Sequence, residues 1–115
     1  MKFELPAPPS ANRMWRRSGH RIHKSTEYMK WMEASQRIIY PLTQNKPKLE
    51  GDLRVIIEAR PKDYRIRDLD NYAKPIIDCM EGLVFINDRQ VVEIIMRRIP
   101  PDGGLHDVLV EVEEL

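Results

Sequence analysis

The sequence predicts an α/β or α+β fold, a small mixed β-sheet of about four strands packed with two main helices. Three features carry that expectation: two segments with apolar residues at three- and four-residue steps, β-branched runs on either side of them, and clusters of turn-forming residues between. Met1 to Leu5 suits a short strand, and Pro6, Pro8, Pro9, Ser10 and Asn12 then break regular structure. A long loop is expected next, in which Arg13, Trp15, Arg16, Arg17, His20, Arg21, His23 and Lys24 mix cations with an aromatic. Ser25 or Thr26 can cap the first helix, whose apolar positions are Tyr28, Trp31, Met32, Ile38, Ile39 and Leu42; Pro41 should bend or end it.

Asn45 to Asp52 reads as a connection, and the β-branched run Leu53 to Arg60 as a strand. Pro61 to Arg67 is a polar link into the second helix, where Leu69, Tyr72, Ala73, Ile76, Ile77 and Met80 keep helical spacing up to Gly82. Pro75 is awkward in that helix, which should either start as late as Asn71 or kink. Val91 to Ile99, a turn at Pro100 to Gly104, and the alternating Val108, Val110 and Val112 predict a hairpin.

The bulk numbers exclude several classes. With 115 residues, 42% apolar and 32% charged, the chain suits one compact domain over residues 1–115, and at that size burial against a second copy would help. The one cysteine, Cys79, cannot form an intrachain disulfide and suits a buried apolar role in a reducing compartment. No stretch has signal-peptide character or approaches the roughly 20 apolar residues of a membrane span, so a cytoplasmic location and no membrane partner are expected. The net charge of +1 hides an asymmetry: residues 1–50 carry ten Lys or Arg against four Asp or Glu, and residues 51–115 carry nine against fourteen. A basic arm beside an acidic centre suits an enzyme that holds a polyanion and collects divalent cations; the plainer alternative is a solvated basic loop.

The densest polar cluster is Arg65, Arg67, Asp68, Asp70, Asn71 and Lys74, followed by Asn87, Asp88 and Gln90. Hard cations such as Mg²⁺ take carboxylate oxygens and keep several waters, so convergence of Asp68, Asp70 and Asp88 would make a metal site. Such a site suits phosphodiester cleavage, with Lys74 stabilising charge that grows on the phosphate. An Asp-X-Asp pair at a helix start also serves as a cap that favours the helix dipole, and the pattern alone leaves that open. The same pair occurs in metal-binding glycosyl transferases, but the chain is short for a sugar-nucleotide domain.

Arg67-Asp68-Leu69-Asp70-Asn71, then Lys74, Asp78, Asn87-Asp88 and Gln90-Val91, resembles the core signature of the RusA-type Holliday junction resolvases, many of them carried by prophages. The Pro-rich opening from Leu5 to Asn12 is similar too, so the resemblance spans nearly the whole chain. It implies a RusA-like fold, a homodimer, and paired symmetric nicking of four-way DNA junctions in recombination and repair. It also implies that Asp68, Asp70 and Asp88 are the metal-binding catalytic carboxylates and Lys74 the essential lysine, with Mg²⁺ as cofactor and Mn²⁺ as a substitute. Some relatives carry an aspartate where this chain has Asn87. Asp78 is expected to pair with Lys74 or Arg89 rather than bind metal.

A two-fold junction needs two sites, which a closed dimer of single-site chains would present. Arg13, Arg16, Arg17, Arg21 and Lys24, with Lys62, Arg65 and Arg67, would neutralise phosphates of branched DNA and make binding salt-dependent, and Asn12 is a further candidate DNA contact. Trp15 suits stacking on an unpaired base or, equally, an interface or core role; His20 and His23 suit phosphate contact better than soft-metal binding, and His106 reads as structural or surface. Two other readings remain: a less selective nuclease of branched phage replication intermediates, and a junction-binding dimer that does not cut.

Overall fold

The computed structural model describes residues 1–9, 15–18, 21–60, 70–100 and 108–115, with the backbone alone for 15–18, 21–24 and 70. The elements in chain order are β1 (Lys2–Leu5), β2 (Trp15–Ser18), β3 (Arg21–Lys24), α1 (Thr26–Thr43), β4 (Leu53–Ala59), α2 (Asp70–Met80), a 3₁₀ turn (Asp88–Gln90), β5 (Val91–Arg98) and β6 (Val108–Glu114). The class is α+β: a four-stranded mixed sheet in the order β1-β6-β4-β5 carries α1 and α2.

Alternation along the strands decides which face is covered. Leu53, Val55, Ile57 and Ala59 of β4 and Val108, Val110 and Val112 of β6 are buried, while the residues between them are half-exposed. The buried face meets Trp31 and Ile39 of α1 and Ile76, Cys79 and Met80 of α2, giving two layers around one core. On the open face Arg54 bridges Glu93 at 2.7 Å and Glu113 at 3.0 Å, tying β5 and β6 across β4.

The hairpin expected after β5 does not form. β6 lies between β1 and β4 and is antiparallel to both, while β5 runs parallel to β4 on its other side. The reason is the connection: α2 carries the chain back along β4, which sets β5 parallel to it, and the alternating valines of β6 then fill the remaining side of β4. The basic segment expected as a loop also differs. β2 and β3 pair antiparallel, from Trp15 opposite Lys24 to Ser18 opposite Arg21, a ribbon that cationic four-residue strands do not announce by apolar alternation.

Ser25 caps α1, its hydroxyl accepting from the Tyr28 N–H at 3.1 Å. Tyr28, Trp31, Ser35 and Ile39 form the buried stripe, whereas Ile38 and Leu42 are exposed. The Trp31 indole N–H donates to the Pro6 carbonyl at 2.8 Å and pins the chain leaving β1 to the helix. Pro41 lies near the end of α1, which stops at Thr43. α2 runs from Asp70 to Met80 with Pro75 inside it, one residue earlier than the latest start the proline suggested.

Candidate active site at the α2 and β5 crossover

Asp70, Lys74 and Asp78 follow one another at four-residue steps on α2, which sets them along one face of the helix. Lys74 Nζ is 3.3 Å from Asp78 Oδ2; the lysine side chain is 67% exposed and that of the aspartate 23%. Asp78 therefore pairs with Lys74. Its inner side faces α1, where Tyr28 is wholly buried and its hydroxyl is pushed up to about 12, first by burial and then by the Asp78 carboxylate. The next residue, Cys79, is buried as expected, donates to the Ile76 carbonyl at 3.0 Å and is raised to about 12 by burial and then by Asp78. Such a thiol is inert at neutral pH.

The turn that delivers Asp88 starts where α2 stops. Gly82 adopts φ +85°, a left-handed conformation that glycine takes without strain, and its N–H donates to the Phe85 carbonyl at 2.8 Å. Asn87 then caps the 3₁₀ turn, its side-chain oxygen accepting from the Arg89 N–H at 2.9 Å. An amide oxygen serves this cap as well as a carboxylate would, so the asparagine at 87 leaves the turn intact. The Asp88 N–H donates to Glu81 Oε2 at 2.7 Å, and the Gln90 side chain accepts from Ile86 and Asn87. Glu81 and the bonding role of Gln90 were not foreseen. Their roles depend on the chain doubling back, and the only sequence signal was an Asn-X-X-Gln capping box.

The two segments meet in an open groove of about 340 Å³, lined by Lys74, Asp78 and Asp88 together with Ala73, Ile77, Val91 and Ile94. Lys74 and Asp88 are thus brought to one cavity, and the backbone of Asp70 stands one turn before Lys74 on the same helix. Asp68 and the side chain of Asp70 lie outside the described residues, as do Asn12, Arg13, His20, Lys62, Arg65, Arg67 and His106. Trp15, Arg16, Arg17, Arg21, His23 and Lys24 are placed on the β2–β3 ribbon by backbone alone. Among the described residues no three acidic, histidine or cysteine side chains gather closely enough to hold a metal ion. The described donors on the groove are carboxylate oxygens without sulfur or imidazole, the donor chemistry of a hard divalent cation.

Fold and groove define a small α+β protein whose solvent-open site combines carboxylates with a lysine. Residues 5–113 match the model of the endodeoxyribonuclease RusA family, and the chain belongs to that family. It is 32% identical over 121 residues to the crossover junction endodeoxyribonuclease of Enterobacteria phage HK97, covering 99% of this chain and 97% of that protein. It is 34% identical over 101 residues to the crossover junction endodeoxyribonucleases of Escherichia coli K12 and Enterobacteria phage 82, covering 87% of this chain and 83% of each of them.

Proposed function

We propose that the chain is a metal-dependent, structure-specific endodeoxyribonuclease that resolves four-way DNA junctions by paired symmetric nicks. It would act in the cytoplasm as a homodimer of 115-residue single-domain chains, in DNA recombination and repair. The observation that carries this reading is the meeting of Lys74 and Asp88 in one groove, in a chain that matches the endonuclease family from residue 5 to 113.

Asp68, Asp70 and Asp88 would hold Mg²⁺, or Mn²⁺ in its place, through carboxylate oxygens. Such an ion, when bound, supplies Lewis-acid polarisation of the phosphate and a lowered pKa for a bound water. Lys74, exposed on the groove and held from one side by Asp78, is set to neutralise charge on the scissile phosphate. The β2–β3 ribbon carries Arg16, Arg17, Arg21 and Lys24, whose cations would neutralise backbone phosphates alongside Arg13, Arg65 and Arg67, with Asn12 a further DNA contact. Two subunits related by a two-fold axis would match the symmetry of the junction and cut strands of like polarity. The Asn87 cap keeps the Asp88 turn in place, which favours a cutting enzyme over a binding protein that has lost its site.

Cleavage of a four-way junction, a fork, a flap and a linear duplex under one set of conditions tests the reading. Faster cutting of the four-way junction by about tenfold or more over the other branched forms is expected. Equal rates on all branched forms would replace it with a general branched-DNA nuclease.

A further inference from the structure

Outside the groove lining, the half-buried side chain of Gln90 uses all of its hydrogen-bonding capacity. Its Oε1 accepts from the Ile86 and Asn87 N–H groups, both at 2.9 Å. Its Nε2 donates to the Leu49 carbonyl at 2.9 Å and to the Gly51 carbonyl at 3.0 Å. A primary amide offers two acceptor positions and two donors, so all four are used and the partners fix which end is oxygen. The segment it grips is itself anchored: Leu49 N–H donates to the Val84 carbonyl, Gly51 N–H to Glu114 Oε2, and Leu115 N–H to the Asp52 carbonyl. Gln90 thus ties the turn that bears Asp88 to the connection entering β4 and, through it, to the end of β6. Asp88 sits between the residues so held, with its own N–H on Glu81.

Gln90 does not line the groove, whereas Asp88 and Val91 on either side of it do, and of these Asp88 alone carries a metal-binding group. On the reading that Asp88 is a metal ligand, we propose that Gln90 is the positioning residue that fixes the Asp88 carboxylate for cation binding, by clamping both ends of its turn to the 49–51 segment. Groups that orient a ligand from behind typically change metal affinity about 10–100-fold when lost.

The test measures Mn²⁺ binding to the intact protein by calorimetry without DNA, and junction affinity in chelator, for Gln90→Met, Asp88→Asn and the parent chain. Gln90→Met keeps side-chain length and loses all four bonds. It should bind Mn²⁺ about tenfold more weakly or worse, while junction affinity in chelator changes by less than about twofold. A lowered melting temperature with unchanged Mn²⁺ affinity would show a merely structural role and overturn the proposal. Asp88→Asn separates the two failures: if it also leaves Mn²⁺ affinity unchanged, the ligand reading fails and the proposal falls with it. Should Gln90→Met not fold, Gln90→Asn, one methylene too short to span both partners, is read by the same criteria.

Discussion

The ammonium of Lys74 lies 3.3 Å from the Asp78 carboxylate one turn further along α2, and the same carboxylate faces the buried hydroxyl of Tyr28 on α1. The solvent-exposed lysine of the proposed mechanism is thereby paired with a carboxylate that also faces the core. Asp78→Asn keeps an acceptor oxygen and removes the charge. A half-exposed i,i+4 pair contributes about 0.3–0.5 kcal/mol, so the melting temperature should move by about 2 °C or less. Single-turnover cutting should slow by about tenfold to a hundredfold, because a misplaced reacting group is costly even when folding is intact. An unchanged rate in a folded variant would free Lys74 from any dependence on Asp78.

Alkaline stability follows from two buried acids. Tyr28 and Cys79 are both raised to about 12, from ordinary values of 10.0 and 9.0. Each stays protonated in the fold after the unfolded chain would have ionised. Their contribution is therefore fully present below about pH 9 and is lost as pH rises towards 12, by about 1.4 kcal/mol per pH unit for each group charged only in the unfolded state. Melting temperatures between pH 8 and 11 should fall, and Tyr28→Phe should flatten the upper part of that decline. A parallel decline in Tyr28→Phe would assign the alkaline loss to other groups.

Gly82→Ala tests the turn after α2. At φ +85° the added methyl meets nothing within 4 Å, so the cost is conformational rather than steric. About 1 kcal/mol of destabilisation is expected, or roughly 4 °C in melting temperature, with near-normal junction binding in chelator. No change would mean the turn relaxes freely.

Trp31→Phe removes the indole donor and leaves the Pro6 carbonyl without its 2.8 Å partner. A loss of about 1–2 kcal/mol in chemical denaturation is expected, with the slope against denaturant unchanged. A neutral result would show that water replaces the indole at no cost.

The sequence announced the parts of this molecule that depend on near neighbours. Helical spacing in α2, the Ser25 cap and the inward valines of β6 are local patterns, and Asp70, Lys74 and Asp88 stood out as a spaced polar set. What it could not announce depends on where distant segments return. The insertion of β6 between β1 and β4 turns on how β5 is delivered, which the apolar runs alone do not encode. Glu81 reaches Asp88 across seven positions, and Gln90 reaches Leu49 across forty-one, so their bonds appear only once the chain has folded back. The apolar spacing of α1 suited either core or a dimer seam and could not say which residues go where; Tyr28, Trp31 and Ile39 are core, while Ile38 and Leu42 are exposed on the single chain.

The central claim is tested most directly by incubating the protein with an end-labelled four-way junction and a matching linear duplex, in Mg²⁺ or in chelator, beside Asp70→Asn. The account predicts paired nicks at symmetric positions on the junction alone, lost in chelator and lost in Asp70→Asn. Tight junction binding without cutting in Mg²⁺, or cutting that survives both chelator and Asp70→Asn, would contradict it.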